Sequence, residues 1–264
     1  MVHRGEEPPI DGSGGAGNVF FGHCSLRCVF CQNHGISQAS RGREVSPSAL
    51  AEIALALQGR GASTLGLVTP TQFTSAVAET LRLARRRGLV LPVVHNGSGV
   101  DSGGALAQLD GLVDVYLPDL KWAGADEARR YSGAGWYPRV ARNAIQTMAA
   151  QVGPLVLDGD GIARRGLLVR HLVLPDDAAR SAESLAWLAA AVGPCALSLL
   201  RQYTPLHRAG ADPRLGRVVR GDEYDEVVDL ARWLGFDPIY VQEAGSTEMG
   251  VPDWDDPEVF DWSR

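Results

Sequence analysis

Three cysteines, Cys24, Cys28 and Cys31, fall within the run Gly22-His23-Cys24-Ser25-Leu26-Arg27-Cys28-Val29-Phe30-Cys31-Gln32-Asn33. Their spacing is C-x3-C-x2-C, just after an apolar, strand-like stretch. Thiolates are the usual ligands of iron–sulfur clusters, and a cubane cluster has four irons that each want a thiolate or a substitute. One loop carrying three thiolates can hold three corners. The fourth iron then stays open to a substrate or cofactor unless another residue reaches it.

The same residues allow two other chemistries. Zinc accepts Cys3His sets, and His34 closely follows Cys31. Zinc ligands more often come as two separated pairs, whereas these four crowd one loop. Alternatively, Cys195 or a histidine closes the cluster, leaving a non-catalytic electron carrier. Isolated core thiols fit poorly beside Arg27 and Gln32. A disulfide framework fits poorly with four cysteines in 264 residues and no apolar leader in Met1-Val2-His3-Arg4-Gly5-Glu6-Glu7-Pro8-Pro9.

The elements that must position these thiols alternate in type. Apolar strand-length runs fall at 18–23, 63–68, 90–95, 113–118, 167–173 and 195–201. Amphipathic segments separate them, at 74–87, 124–132, 138–151 and 178–192, with one more opening at Ser46-Pro47 as N-cap and first-turn proline. Leu155 to Ile162 reads as a hairpin with an Asp-Gly turn. This rhythm predicts βαβ units around a parallel sheet, in an α/β chain of six strand–helix pairs. The barrel core is expected over about 17–205, within a single domain spanning 1–264. An extension over about 206–264 adds a helix at 221–234, a short strand at 239–241 and an acidic tail, Asp253 to Trp262, expected to pack over the barrel.

Composition bounds the partners. Apolar residues are 45% and charged ones 21%, and the net charge of −6 favours neither nucleic acid nor a basic docking footprint over the whole chain. No uninterrupted apolar run reaches about 18 residues, so no membrane helix is expected and the cytoplasm is the expected compartment.

In α/β barrels the chemistry collects on loops after the strands. The first strand runs into the cysteine loop. The third ends in His95-Asn96-Gly97-Ser98-Gly99, where Asn96 and Ser98 offer an amide and a hydroxyl. The fourth ends in Asp119-Leu120-Lys121, a cation and an acceptor whose alternative role is a surface ion pair. In the fifth, alternation sends Arg170 and His171 to opposite faces, one into the barrel and one toward the helices. A buried arginine needs an anion, either a bound carboxylate or a protein carboxylate. The sixth ends in Arg201-Gln202-Tyr203-Thr204-Pro205. Cys195 opens that strand at the opposite end, where burial is the expected role.

The cysteine loop, with an aromatic residue before its last cysteine, resembles that of the radical S-adenosylmethionine (radical SAM) enzymes. Phe20-Phe21-Gly22-His23-Cys24, Cys31-Gln32-Asn33, Tyr116-Leu117-Pro118-Asp119-Leu120-Lys121 and Arg170-His171-Leu172-Val173-Leu174-Pro175 are similar to the pyruvate formate-lyase activating enzyme-like branch, over roughly residues 5 to 245. The resemblance implies a partial (β/α)6 barrel open on one side and a [4Fe-4S] cluster on Cys24, Cys28 and Cys31. It implies S-adenosylmethionine on the open iron, cleaved by one electron to a 5′-deoxyadenosyl radical that abstracts hydrogen. The implied substrate is a peptide, a protein glycine or a small molecule, and the implied partner is a reductant such as flavodoxin or ferredoxin. Phe30 would lie against the cluster or adenine, Gln202 would read adenine, and Lys121 would meet the cofactor carboxylate. Asn96, Ser98, Asp119 and Arg170 would surround the cofactor. The superfamily's Gly-Gly-Glu after the second strand is replaced here by Val68-Thr69-Pro70-Thr71-Gln72. Thr69 then offers a hydroxyl or carbonyl in its place, or forms only a turn with Pro70. One spare cysteine excludes an auxiliary cluster.

Overall fold

The structure is a computed structural model that describes residues 1–39 and 41–245. The acidic segment at 253–262 lies outside the described residues. The elements run β1 (Val2–His3), α1 (Pro8–Asp11), β2 (Ala16–Phe20), α2 (His34–Ser37), α3 (Pro47–Gly59), β3 (Thr64–Val68), α4 (Thr74–Arg86), β4 (Val93–Gly97), α5 (Gly103–Leu109) and β5 (Val115–Pro118). They continue with α6 (Ala125–Ser132), α7 (Tyr137–Val152), β6 (Val156–Leu157), β7 (Ala163–Leu172), α8 (Ser181–Ala191), β8 (Ala196–Leu200), α9 (Gly221–Trp233) and β9 (Ile239–Val241).

The sheet runs β1-β2-β3-β4-β5-β7-β8-β9, with β6 on β7. From β2 to β9 along this path every pairing is parallel, and only β1 and β6 are antiparallel. The six expected strands are present within a few residues of their sequence limits. The short strand at 239–241 is a seventh parallel strand, extending the sheet beyond β8. The α/β fold is therefore an open, partial barrel, with helices between its parallel strands.

Local chemistry explains the elements. Ser46 Oγ accepts from the Ala49 amide at 3.2 Å and Pro47 opens α3, leaving Leu50, Ala51, Ala54 and Leu57 buried on one stripe. The hairpin turn forms because Asp158 Oδ1 accepts from the Asp160 and Ile162 amides. Alternation divides the strands between two faces. Leu65, Leu67, Val93, Tyr116, Val169, Leu197 and Leu199 pack outward in the cluster shared with the helices. Val94, Val115, Leu117, Leu168 and Ala196 face inward around Ile10 of α1. Chain residues 1–11 thus plug the end of the barrel remote from the cysteine loop. Gly66 is required there, since a Cβ would sit 2.0 Å from Asn18 Oδ1. Among the described residues no helix is long and apolar enough to cross a membrane.

Candidate functional site

The loop ends of β2, β3, β4, β5 and β8 converge on one cavity of about 490 Å³. Its wall includes Cys24, Cys28, Phe30, Cys31, Thr69, Asn96, Ser98, Asp119, Lys121, Arg170 and Gln202, so the residues expected around the cluster and cofactor reach the same space, whereas His34, His171 and Cys195 do not line it.

The cysteine loop is held from both sides. The Arg27 and Val29 amides donate to the Ser132 and Tyr131 carbonyls at the end of α6, each at 2.9 Å, and the Arg208 amide donates to Val29 O at 2.8 Å. Each thiol has a polar neighbour. Trp122 Nε1 donates to Ser132 Oγ at 2.9 Å, and Cys28 Sγ lies 3.0 Å from the same hydroxyl. The Leu26 amide donates to Cys24 Sγ at 3.4 Å, and Cys31 Sγ lies 3.3 Å from Ser37 Oγ. Burial pushes the Cys28 thiol up to about 11, opposed by the Lys121 charge and by Ser132. Burial also raises Cys24, against the Leu26 amide and Lys121.

Asp119 and Lys121 leave β5 two residues apart on the inner face, and Lys121 Nζ donates to Asp119 Oδ2 at 2.6 Å. Tyr137 fixes this turn: its hydroxyl donates to Asp119 O at 2.7 Å and accepts from the Lys121 amide at 2.8 Å. Gly99, at φ +73°, permits the close approach, since a Cβ there would lie 2.9 Å from Asp119 O. Burial opposes the charge on Lys121, but Asp119, with smaller help from Cys28 and Tyr137, outweighs it and holds the ammonium above the ordinary lysine value. The pair is therefore a cavity pair, and the surface alternative fails.

Arg170 points into the barrel and His171 outward. His171 is fully buried, with Nδ1 2.7 Å from Leu120 O and Nε2 2.9 Å from Ser181 Oγ, and burial lowers its pKa. The anion facing Arg170 belongs to the protein. Its Nε donates to Glu7 Oε1 at 2.7 Å, and its Nη2 donates to Glu7 Oε2 at 2.5 Å and to Glu6. Of the two anions left open for Arg170, a bound carboxylate or a structural salt bridge, the structure supplies a salt bridge, because the N-terminal plug brings two carboxylates across the barrel.

Phe30 packs edge-on to Tyr203 at 5.5 Å and tilted to Trp122 at 6.0 Å, so its ring is core as well as cavity wall. Tyr203 is buried and donates to Leu215 O at 2.6 Å, supporting Phe30. Gln202 keeps its amide on the wall, with Oε1 accepting from Gln242 at 2.9 Å. Ser98 Oγ is buried with no hydrogen bond of normal geometry.

Two features escaped the sequence. Gln72 Nε2 lies within 3.0 Å of the Gly22, His23 and Thr69 carbonyls, tying the cysteine loop to the β3 loop. His23 and Thr69, which it joins, both have positive φ, at 65° and 58°. Beneath the β4 loop, His95 Nε2 lies 3.4 Å from Asp101 Oδ1 with both side chains fully buried. Burial raises the Asp101 pKa, but His95 and Thr71 outweigh it and lower it overall. A glutamine in a turn and a histidine four residues from the chain's loop end carry no sequence signal of such contacts.

The alternatives for the thiols find no ligands. Cys195 is buried in the helix-side core before β8, and burial raises it to about 12. His34 Nδ1 turns to Cys31 O at 3.1 Å and its ring stacks on His207 at 4.5 Å, away from the sulfurs. Among the described residues no three His, Cys, Asp or Glu side chains converge on a single ion.

No family model matches the chain. An uncharacterized protein of Methanocaldococcus jannaschii, MJ0674, is 25% identical over 251 residues, covering 91% of this chain and 68% of its own. Among solved structures, the FeFe-hydrogenase maturase HydG from Carboxydothermus hydrogenoformans superposes with a TM-score of 0.60 at 12% identity, over 89% of this chain and 55% of that one. Streptococcus suis SuiB, also solved with S-adenosylmethionine bound, gives 0.59 at 9% identity, over 86% of this chain and 49% of its own. The chain spans about half the length of these two structures. It has the partial-barrel fold of the radical SAM enzymes.

Proposed function

We propose that this chain is a radical SAM enzyme, with Cys24, Cys28 and Cys31 as ligands of a [4Fe-4S] cluster and S-adenosylmethionine as cosubstrate. The observation that carries it is the convergence of three thiols and the Lys121–Asp119 pair on one cavity, while Cys195 lies in the helix-side core. The donor set fits: three sulfurs, each beside a hydroxyl or amide, with the Ser98 hydroxyl also facing Cys24 from the same wall. When bound, the reduced cluster supplies one electron to split the sulfonium of S-adenosylmethionine, giving a 5′-deoxyadenosyl radical able to take hydrogen from a substrate carbon.

The chain's own residues bind and orient. Lys121, held cationic by Asp119, receives the cosubstrate carboxylate, and Asp119 is then placed to accept from a ribose hydroxyl. Asn96, Ser98 and Thr69 line the same wall with polar groups, and Gln202 offers its amide to adenine. Phe30, backed by Tyr203 and Trp122, presents an apolar surface that excludes water. The substrate is a peptide, a protein glycine or a small molecule, reached through the open side of the barrel, in the manner of the activating-enzyme-like branch, with a flavodoxin or ferredoxin as reductant in the cytoplasm.

Anaerobic reconstitution with iron and sulfide tests this. A brown protein whose electron paramagnetic resonance spectrum changes on adding S-adenosylmethionine, and which releases 5′-deoxyadenosine under dithionite, is expected. A colourless protein with stoichiometric zinc would refute it.

A further inference from the structure

A cluster that accepts one electron per turnover must receive it through the protein surface nearest its ligands, and that surface has an unusual charge. The chain carries −6 overall, yet the outer face of the cysteine loop presents two adjacent arginines. Arg208 Nη2 donates to the Arg27 carbonyl at 3.1 Å, and the Arg208 amide is bonded to Val29, between Cys28 and Cys31. Both side chains are exposed, and among the described residues neither has a carboxylate in ion-pair range. Their neighbours differ: Arg129 is paired with Asp126 at 2.5 Å and Arg130 with Asp212 at 3.0 Å. Arg208 Nε donates to His207 Nε2 at 3.1 Å, and the His207 ring stacks on His34, whose Nδ1 contacts Cys31 O. On the other flank, a Cβ built at Gly133 would lie 3.7 Å from the Arg27 Cβ, so the end of α6 borders this face. Arginine is enriched at interface centres.

Resting on the cluster assignment above, we propose that Arg27, Arg208 and the His34–His207 stack form the docking surface for an acidic one-electron carrier protein. The carrier loses one electron and the cluster gains it, with no bond made and no proton transferred in that step. Charge complementarity selects the partner: a carrier with a negative rim around its redox centre is drawn to this cationic rim and repelled by the net-negative remainder. The same overall charge disfavours nucleic acid as the occupant.

The test measures binding of oxidised flavodoxin to the reconstituted protein by calorimetry, and reduction of the cluster by reduced flavodoxin in stopped flow. Arg27→Glu and Arg208→Glu together should weaken binding and slow reduction by about tenfold or more. Reduction by dithionite should be unchanged, as should all readouts for Arg232→Glu on α9. Raising salt should weaken wild-type binding. Should Arg208→Glu lose iron through its bonds to the loop, Arg27→Glu alone decides, because among the described residues the Arg27 side chain makes no hydrogen bond or ion pair. Unchanged flavodoxin affinity with iron content intact would overturn the docking site, as would displacement of flavodoxin by a short oligonucleotide of equal affinity. Failure to take up iron would overturn the cluster assignment instead. The iron-free chain still reads the surface: charge-dependent flavodoxin binding supports it, and no binding refutes it.

Discussion

Replacing Lys121 by methionine keeps the aliphatic length and removes only the ammonium. The Lys121–Asp119 contact is 2.6 Å, and the side chains are 19% and 21% exposed. At an effective dielectric constant near 20, unit charges about 4 Å apart attract by about 4 kcal/mol, most of which offsets desolvation. Exposed pairs contribute below about 1 kcal/mol, while breaking buried ones costs about 3–5. A pair one-fifth exposed lies between, so the metal-free Lys121→Met variant should lose about 1.5–3 kcal/mol in urea denaturation. Removing the cation that receives a carboxylate should also weaken S-adenosylmethionine binding by about tenfold or more, equivalent to about 1.4 kcal/mol. Cys24 and Cys28 lose a charge that favours their thiolates, so iron uptake should shift to higher pH. Titration of the reconstituted variant, followed by the cluster's paramagnetic resonance, reads the second effect. Lys121→Arg should retain part of the affinity. Wild-type affinity in Lys121→Met would refute the assignment of this cation to the cosubstrate, and wild-type stability would show the pair to be solvated.

Alanine at Cys24, Cys28 or Cys31 should abolish iron binding and 5′-deoxyadenosine release, while Cys195→Ala should keep both; iron analysis and chromatography of the product check this. Arg170→Met strands Glu6 and Glu7, whose side chains are 13% and 4% exposed, and should cost about 3–5 kcal/mol. Adding Glu6→Gln and Glu7→Gln should restore much of that in the same denaturation assay. Burial raises Cys28 to about 11 and Cys195 to about 12, so between about pH 9 and 11 the folded chain keeps protons that the unfolded chain has lost. The metal-free protein should therefore lose stability as pH rises through that window, by up to about 1.4 kcal/mol per unit for each thiol; Cys195→Ala should reduce the slope. Gln72→Ala frees the positive-φ backbones of His23 and Thr69 and should cost about 1–2 kcal/mol, with weaker cosubstrate binding in the titration.

Chemistry that depends on a short stretch of chain was legible in the residues alone. The spacing of Cys24, Cys28 and Cys31 places three soft ligands on one loop whatever the rest does. Strand-length apolar runs and the Ser46-Pro47 cap announce parallel βαβ units, because period and capping are local. Asp119 and Lys121 share a face because side chains alternate along an extended strand. Which face that is, and what waits across the barrel, is non-local. Alternation could separate Arg170 from His171 but could not choose between them, since the inward side is decided by the packing of all strands together. The partner of Arg170 lies 163 residues away, in an N-terminal segment whose course no local pattern reveals. Gln72 likewise gains its role only when the β3 loop meets the cysteine loop, and Arg27 and Arg208 become one patch only when residues 181 apart are folded side by side. Contacts at such separation come from the closure of the whole sheet, which brings together groups whose local sequence is indifferent to one another.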